Sequence, residues 1–189
     1  ITATQIKNYD AFQVASLDSD ATYWGRYAGT LGNSLKVAVC DTSTAFFANI
    51  DFSSATISFK ATPGSSNVDV TGIGAGDLDN LNVGDLIEID SRLLKIKTKG
   101  SVTSNAATIV LTDSFTGVAN AFANGTINRY WEFYGDVSAA PGTSAFVANA
   151  GGASDELHVL VIDEDGLFSG TKGAILERFE SLSRATDAK

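Results

Sequence analysis

Few residues in this chain could do chemistry, and they are scattered. His158 is the only histidine and Cys40 the only cysteine. A Ser-His-Asp relay or a zinc site would have to use His158, because the relay needs an imidazole to carry the proton and zinc needs several imidazole or thiolate donors. His158 lies inside the run LHVLVI, with no second imidazole to join it, and reads as a satisfied strand or edge histidine. Cys40 ends the apolar run LKVAVC and reads as a buried structural thiol. Standing alone, it can form no internal disulfide.

The carboxylate clusters point to cations but miss the required spacing. Asp163-Glu164-Asp165 has no glycine at the sixth place and no glutamate at the twelfth, as a helix-loop-helix calcium loop requires. Asp77, Asp79, Asn80 and Asn82 form a second near miss. Both read as solvated turns. Gly72, Gly74 and Gly76 resemble a dinucleotide fingerprint, but Asp77 stands where the third glycine belongs and no helix is expected after it. Gly25, Gly29 and Gly32 fit no phosphate loop and read as turns under aromatic rings. Asn124-Gly125-Thr126 matches a glycosylation sequon by letters, and a hairpin turn explains it. Lys95, Lys97 and Lys99 alternate along one strand face and read as a wet face, with Glu88 and Asp90 placed to pair across to them. No catalytic, cofactor-binding or metal-ligating residue is assigned from these patterns.

The totals narrow the partners. A net charge of −9 disfavours wrapping a nucleic acid, whose phosphates demand clustered lysine and arginine. With 44% hydrophobic residues, a packed core is expected rather than general disorder. No apolar run reaches membrane-spanning length and no signal peptide is evident. The absence of methionine, even at position 1, reads as a fragment or trimmed core of a longer protein.

The elements that would position these residues are mostly strands. Glu156–Ile162 alternates, with Leu157, Val159 and Val161 on one face and His158, Leu160 and Ile162 on the other; both faces are apolar, so cover on both sides is expected. Asp165-Gly166 reads as a turn, and Thr171 as the cap of a helix with Ile175, Leu176, Phe179 and Leu182 as its buried stripe and Glu180 to Arg184 as an exposed pair. Residues 34–40 and 55–61 read as strands, Phe12, Val14 and Leu17 as a short strand or arm, and Pro63-Gly64 as a boundary. Short strands at Leu86–Asp90, Leu94–Lys99, Ala107–Thr112 and Ile127–Tyr134, without helices between, suggest a small barrel. The expectation is therefore a β-rich α+β chain: a mixed sheet with a packed helix, and an inserted small antiparallel β-barrel. Residues 1–64 would hold an arm and the first part of the α+β domain, 65–129 the barrel, and 130–189 the second part.

Three segments carry a family resemblance. DELHVLVIDEDGLFSGTKGAILERFESLSRATDAK, YWGRYAGTLGNSLKVAVCD and YGDVSAAPGTSAF resemble, in the expected order, segments of contractile tail sheath proteins of myovirus-type bacteriophages. The resemblance implies a structural protein of the virion tail, made in the host bacterial cytoplasm and catalysing no reaction. Its partners would be other sheath subunits, stacked as hexameric rings, and the tail tube protein. No cofactor, nucleic acid or membrane insertion is implied. The family's linking arms and C-terminal region have no counterpart in these residues, a departure that implies a monomer for the fragment by itself. Two other readings remain open at this stage: a binding module whose barrel contacts a receptor, glycan or decoration protein, and a hydrolase using His158.

Overall fold

The computed structural model describes residues 8–14, 30–51, 58–89, 91–116, 121–123 and 126–185. The helices are short: α1 (Tyr9–Val14), α2 (Thr30–Asn33), α3 (Ser43–Phe46), α4 (Ala145–Asn149) and a single 3-10 turn at Tyr134–Asp136. The strands are β1 (Leu35–Cys40), β2 (Phe47–Asp51), β3 (Ser58–Ala61), β4 (Asn67–Thr71), β5 (Leu86–Ile89), β6 (Arg92–Lys99), β7 (Ala106–Leu111), β8 (Ala121–Ala123), β9 (Thr126–Tyr130), β10 (Glu156–Asp163) and β11 (Ala174–Ser183). Among the described residues, no helix is long and apolar enough to cross a membrane. At the N-terminal end, Tyr9–Val14 is helical rather than extended, with the Asn8 carboxamide accepting from Ala11 N–H at 2.8 Å in the manner of a helix cap. Leu17, Gly25, Gly29, Asp90, Asn124 and Gly125, and residues 55–57 of the 55–61 strand, lie outside the described residues; the rest of that strand is β3.

The chain divides into two compact units. One joins Ile1–Asp41 to Pro141–Lys189, and the other is Thr42–Ala140. The sequence reading placed the divisions at 64/65 and 129/130. They fall outside those positions because β2 pairs with β9 along its whole length, from Phe47↔Tyr130 to Asp51↔Thr126, and so joins the inserted unit.

The first unit holds a three-stranded sheet in the order β1-β10-β11. Both pairings are antiparallel, β1 with β10 running from Leu35↔Asp163 to Cys40↔His158. The sheet is therefore antiparallel where a mixed one was expected. The expected helix after Thr171 is the strand β11, and the reason is visible in its register. β11 carries two irregularities, one between the partners of Leu157 and Val159 and one between those of Val161 and Ile162. Each puts an extra residue into β11. The added residues stretch a period of two toward three, so Leu176, Phe179 and Leu182 mimic a helical stripe. These three side chains are exposed. In β10, His158, Leu160 and Ile162 are buried, while Leu157, Val159 and Val161 are half-buried. The second face is thus not closed off as the apolar pattern suggested.

The second unit holds an eight-stranded antiparallel sheet in the order β2-β9-β5-β6-β7-β4-β3-β8. No closed barrel forms among the described residues: β2 and β8 are the two ends of the order. The strand reading overlooked β2, whose sequence FANID lacks clean alternation, and β2 takes the place beside β9 that a closing strand would fill. The core follows the alternation of the strands. Val68 and Val70, Ile87 and Ile89, Leu94 and Ile96, and Ile109 and Leu111 all point into one cluster. Ile73, Leu78 and Leu81 pin the long connection after β4 to this cluster, and Phe115 caps it after β7. Burial of each such side chain contributes about 1.5–3 kcal/mol. Gly84 makes the turn into β5 with φ of +97°, and its N–H donates to Ile96 O at 2.9 Å.

Candidate functional site

In the first unit the most elaborate polar assembly surrounds Asp163, at the end of β10. Its side chain is fully buried. Oδ1 accepts from Ser34 Oγ at 2.5 Å. Oδ2 accepts from Phe168 N–H at 2.9 Å, Ser169 N–H at 2.7 Å and Ser169 Oγ at 2.8 Å. Its backbone carbonyl accepts from Gly173 N–H at 2.7 Å. Ser34, which follows α2, accepts in turn from Asp165 N–H at 3.2 Å through its hydroxyl and from Glu164 N–H at 2.6 Å through its carbonyl. Asp163 therefore anchors the 164–173 loop and the start of β1 at once. Burial pushes its carboxyl pKa up, but the donors from Ser34, Ser169 and Phe168 together outweigh it and hold the group well below the ordinary carboxylate range.

This corrects the reading of Asp163-Glu164-Asp165 as a solvated turn. Both oxygens of Asp163 are committed to protein donors, and Asp165 lies outside, 3.8 Å from the Lys172 ammonium. Gly166 forms the expected turn with φ of +81°, where a Cβ would come within 2.8 Å of Lys172 N. Among the described residues, no group of three or more His, Cys, Asp or Glu could hold a metal ion.

His158 and Cys40 stand opposite one another on β10 and β1, both buried. The imidazole Nδ1 accepts from Ser181 N–H at 3.0 Å. Ser181 sits at a bulge of β11 with φ of +53°, where the ladder leaves a backbone donor over. His158 satisfies that donor. A triad needs Nδ1 to donate to a carboxylate, and here the same atom is an acceptor. Asp155, at the other end of β10, accepts from the Ser183 hydroxyl and from Ser144 N–H at 2.8 Å. The Ser183 hydroxyl lowers its pKa most, against an opposing push from burial and with help from Ser144.

In the second unit, an open polar cleft of about 480 Å³ lies between α3, the start of β2 and the connection before β5. Its lining includes Thr44, Asn49, Asp79, Asn80, Asn82 and Arg129. Arg129 is buried; it donates to Ala45 O at 2.9 Å and to Thr44 O, and lies 3.5 Å from Asp85 Oδ2. Its Nε has no hydrogen-bond partner. Burial raises the Asp85 pKa, against the pull of Asn82 N–H and the Arg129 guanidinium. The residues 77–82 that resembled a cation loop form turns whose apolar members are buried, leaving Asp77, Asp79, Asn80 and Asn82 outside. Asp77 is held by Gly74 N–H at 2.8 Å. Gly72 and Ile73 both donate to Asn105 O, so these glycine-segment amides serve the fold.

The lysine row is divided. Lys95 pairs with Glu132 at 2.6 Å, Lys97 is exposed, and Lys99 donates to Leu78 O at 2.7 Å and Leu81 O at 2.9 Å. Glu88 is engaged on its β9 side, where Asn128 and Tyr130 donate to it. The sequence reading missed Arg129, Asp85 and Asp155. A lone arginine in TINRY carries no signal of burial except its alternation with Ile127. Compared with known proteins, the chain matches no family model, no curated sequence and no solved structure.

Proposed function

We propose that this chain is a structural subunit of a contractile tail sheath of myovirus-type bacteriophages. It polymerises around the tail tube and contracts to drive the tube through the host envelope. The observation that carries the reading is the ordered resemblance of three segments, YWGRYAGTLGNSLKVAVCD, YGDVSAAPGTSAF and DELHVLVIDEDGLFSGTKGAILERFESLSRATDAK. It is supported by chain layout: β1 and β10, far apart in sequence, pair in one unit while Thr42–Ala140 folds as another. The partners are then further copies of the subunit and the tail tube protein, and the setting is the virion. Contraction of such an assembly repacks rigid subunits between two arrangements. Electron microscopy of the purified protein tests this. Rings or polysheath tubes are expected; dispersed monomers at high concentration overturn it.

A further inference from the structure

The outer face of β2, β9 and β5 does not look like an ordinary wet sheet surface. Alternation turns Ile50, Ile127, Arg129 and Ile87 inward. It turns Phe47, Asn49, Asn128, Tyr130 and Glu88 outward, with Phe47 opposite Tyr130 and Asn49 opposite Asn128 in the register. The Phe47 and Tyr130 rings lie 4.9 Å apart, and Tyr134 meets Tyr130 edge-on at 4.7 Å. Phe47 is 39% exposed and Tyr134 36% exposed. Beside this ring row runs a fixed polar relay. Asn49 Nδ2 donates to Asn128 Oδ1 at 3.1 Å, and Asn128 Nδ2 donates to Glu88 Oε2 at 2.9 Å. Tyr130 OH donates to the same oxygen at 3.0 Å. Burial and then the Glu88 carboxylate raise the Tyr130 pKa, so the phenol stays a donor. Glu88 Oε2 thus accepts two hydrogen bonds, while Oε1 accepts none among the described residues.

We infer that this strip is a saccharide-binding surface, which takes a neutral sugar ring against Phe47 and Tyr134 with hydroxyls donated to Glu88 Oε1. A pyranose offers a C–H face of weak positive potential, which suits the negative face of an aromatic ring. It also offers hydroxyl donors, which an immobilised carboxylate accepts in strong, charge-assisted bonds. The relay through Asn128 and Tyr130 orders the carboxylate before any ligand arrives, which lowers the entropy lost on binding. An acidic ligand is disfavoured by Glu88 itself and by the net charge of −9. A cation cage needs rings that enclose the charge, and here they form an open row on a sheet. The inference holds whether or not the chain builds a sheath.

The test is saturation-transfer NMR on the whole 189-residue chain with glucose, mannose, galactose and N-acetylglucosamine in turn. Transfer to the C–H protons of at least one sugar is expected, together with shifts of the Phe47, Tyr130 and Tyr134 ring signals. Phe47→Ala and Glu88→Gln should each weaken that binding by roughly tenfold, the loss of one good contact. The tyrosine shifts in the unsubstituted protein report independently of whether either variant folds. No transfer from any of the four sugars overturns the inference, as does transfer undiminished in both folded variants. Ring signals that move with protein concentration and not with sugar assign the strip to contact between copies, and also overturn it.

Discussion

The two units are stabilised by different means. Among the described residues, the buried apolar side chains of the first unit are Ala38, Cys40, Pro141, Leu160 and Ile162, set against the buried polar side chains Ser34, Asp155, His158 and Asp163. In the second unit, one apolar cluster reaches from Ile50 to Ile127, and among the described residues the buried polar side chains there are Asp85 and Arg129. A three-stranded sheet with one buried face lacks the apolar area to fix its loops. It fixes them by hydrogen bonds to buried carboxylates instead, and such networks fail as a whole when one member is removed. A sheet of eight strands encloses its own cluster, and there stability is spread over many side chains that can be lost one at a time.

The contrast is most exposed at Asp163. Asp163→Ala leaves Ser34 Oγ and the amides of Phe168 and Ser169 without their acceptor. The expected result is the largest of the set: amide protection in Val159–Ile162 disappears, while protection of Ile109 and Leu111 stays. Hydrogen exchange with fragment-level readout measures both at once. Equal loss in the two units would break the comparison. The mirror experiment is Phe115→Ala, which opens a cavity at a fully buried position of the apolar cluster. It should cost about 3–5 kcal/mol in denaturant unfolding, with exchange rising in β7 before β10.

Acid sharpens the same difference, and the signs oppose one another. Asp163 and Asp155 titrate below the unfolded carboxyl value when the chain is folded. The stability they give is full above that value, about 3.9 for aspartate, and is lost as the pH falls through their folded values. Asp85 titrates above its unfolded value. Protonating it therefore favours the folded second unit as the pH falls. Between neutral pH and about pH 3, already below the unfolded value, protection of β10 and β11 should begin to fall while that of β7 holds. Simultaneous acid unfolding of both would show that the carboxylates do not set the order.

How much of this was legible in the sequence follows from the same physics. Strands β5, β6, β7 and β10 could be read because their period-two apolar pattern meets a buried face; β1 could be read as a strand, but its buried residues are Ala38 and Cys40 and not the alternating Leu35, Val37 and Val39. β11 could not, because two bulges spaced Leu176, Phe179 and Leu182 like a helix and no letter marks a bulge. β2 was missed because its inward residues, Ala48 and Ile50, give a weak signal in a five-residue strand. The polar hub was half legible. Asp163-Glu164-Asp165 stood out as a carboxylate cluster, but Asp163 is buried because Ser34, 129 residues away, supplies a donor. Sequence spacing carries no information about a partner that distant. The ring strip was equally hidden, since Phe47 and Glu88 meet Tyr130 and Asn128 only through strand order.

The smallest effects come from Lys95, Lys97 and Lys99, three like residues at even spacing in one strand. The register of β6 on β7 shifts between Ile96 and Thr98, so the alternation that would place the three on one face is interrupted. Lys99 reaches back to two carbonyls that end the turns after β4, and Lys99→Met should cost about 1–2 kcal/mol by leaving them short of a charged donor. Lys95→Met removes a half-exposed ion pair with Glu132, worth under about 1 kcal/mol and weakened by salt. Lys97→Met should change nothing measurable, since its side chain is exposed. Denaturant unfolding of the three variants at low and high salt orders them. If Lys97 proved the costliest, the row would be acting as one charged face, and the division of labour seen around Leu78 and Glu132 would be wrong.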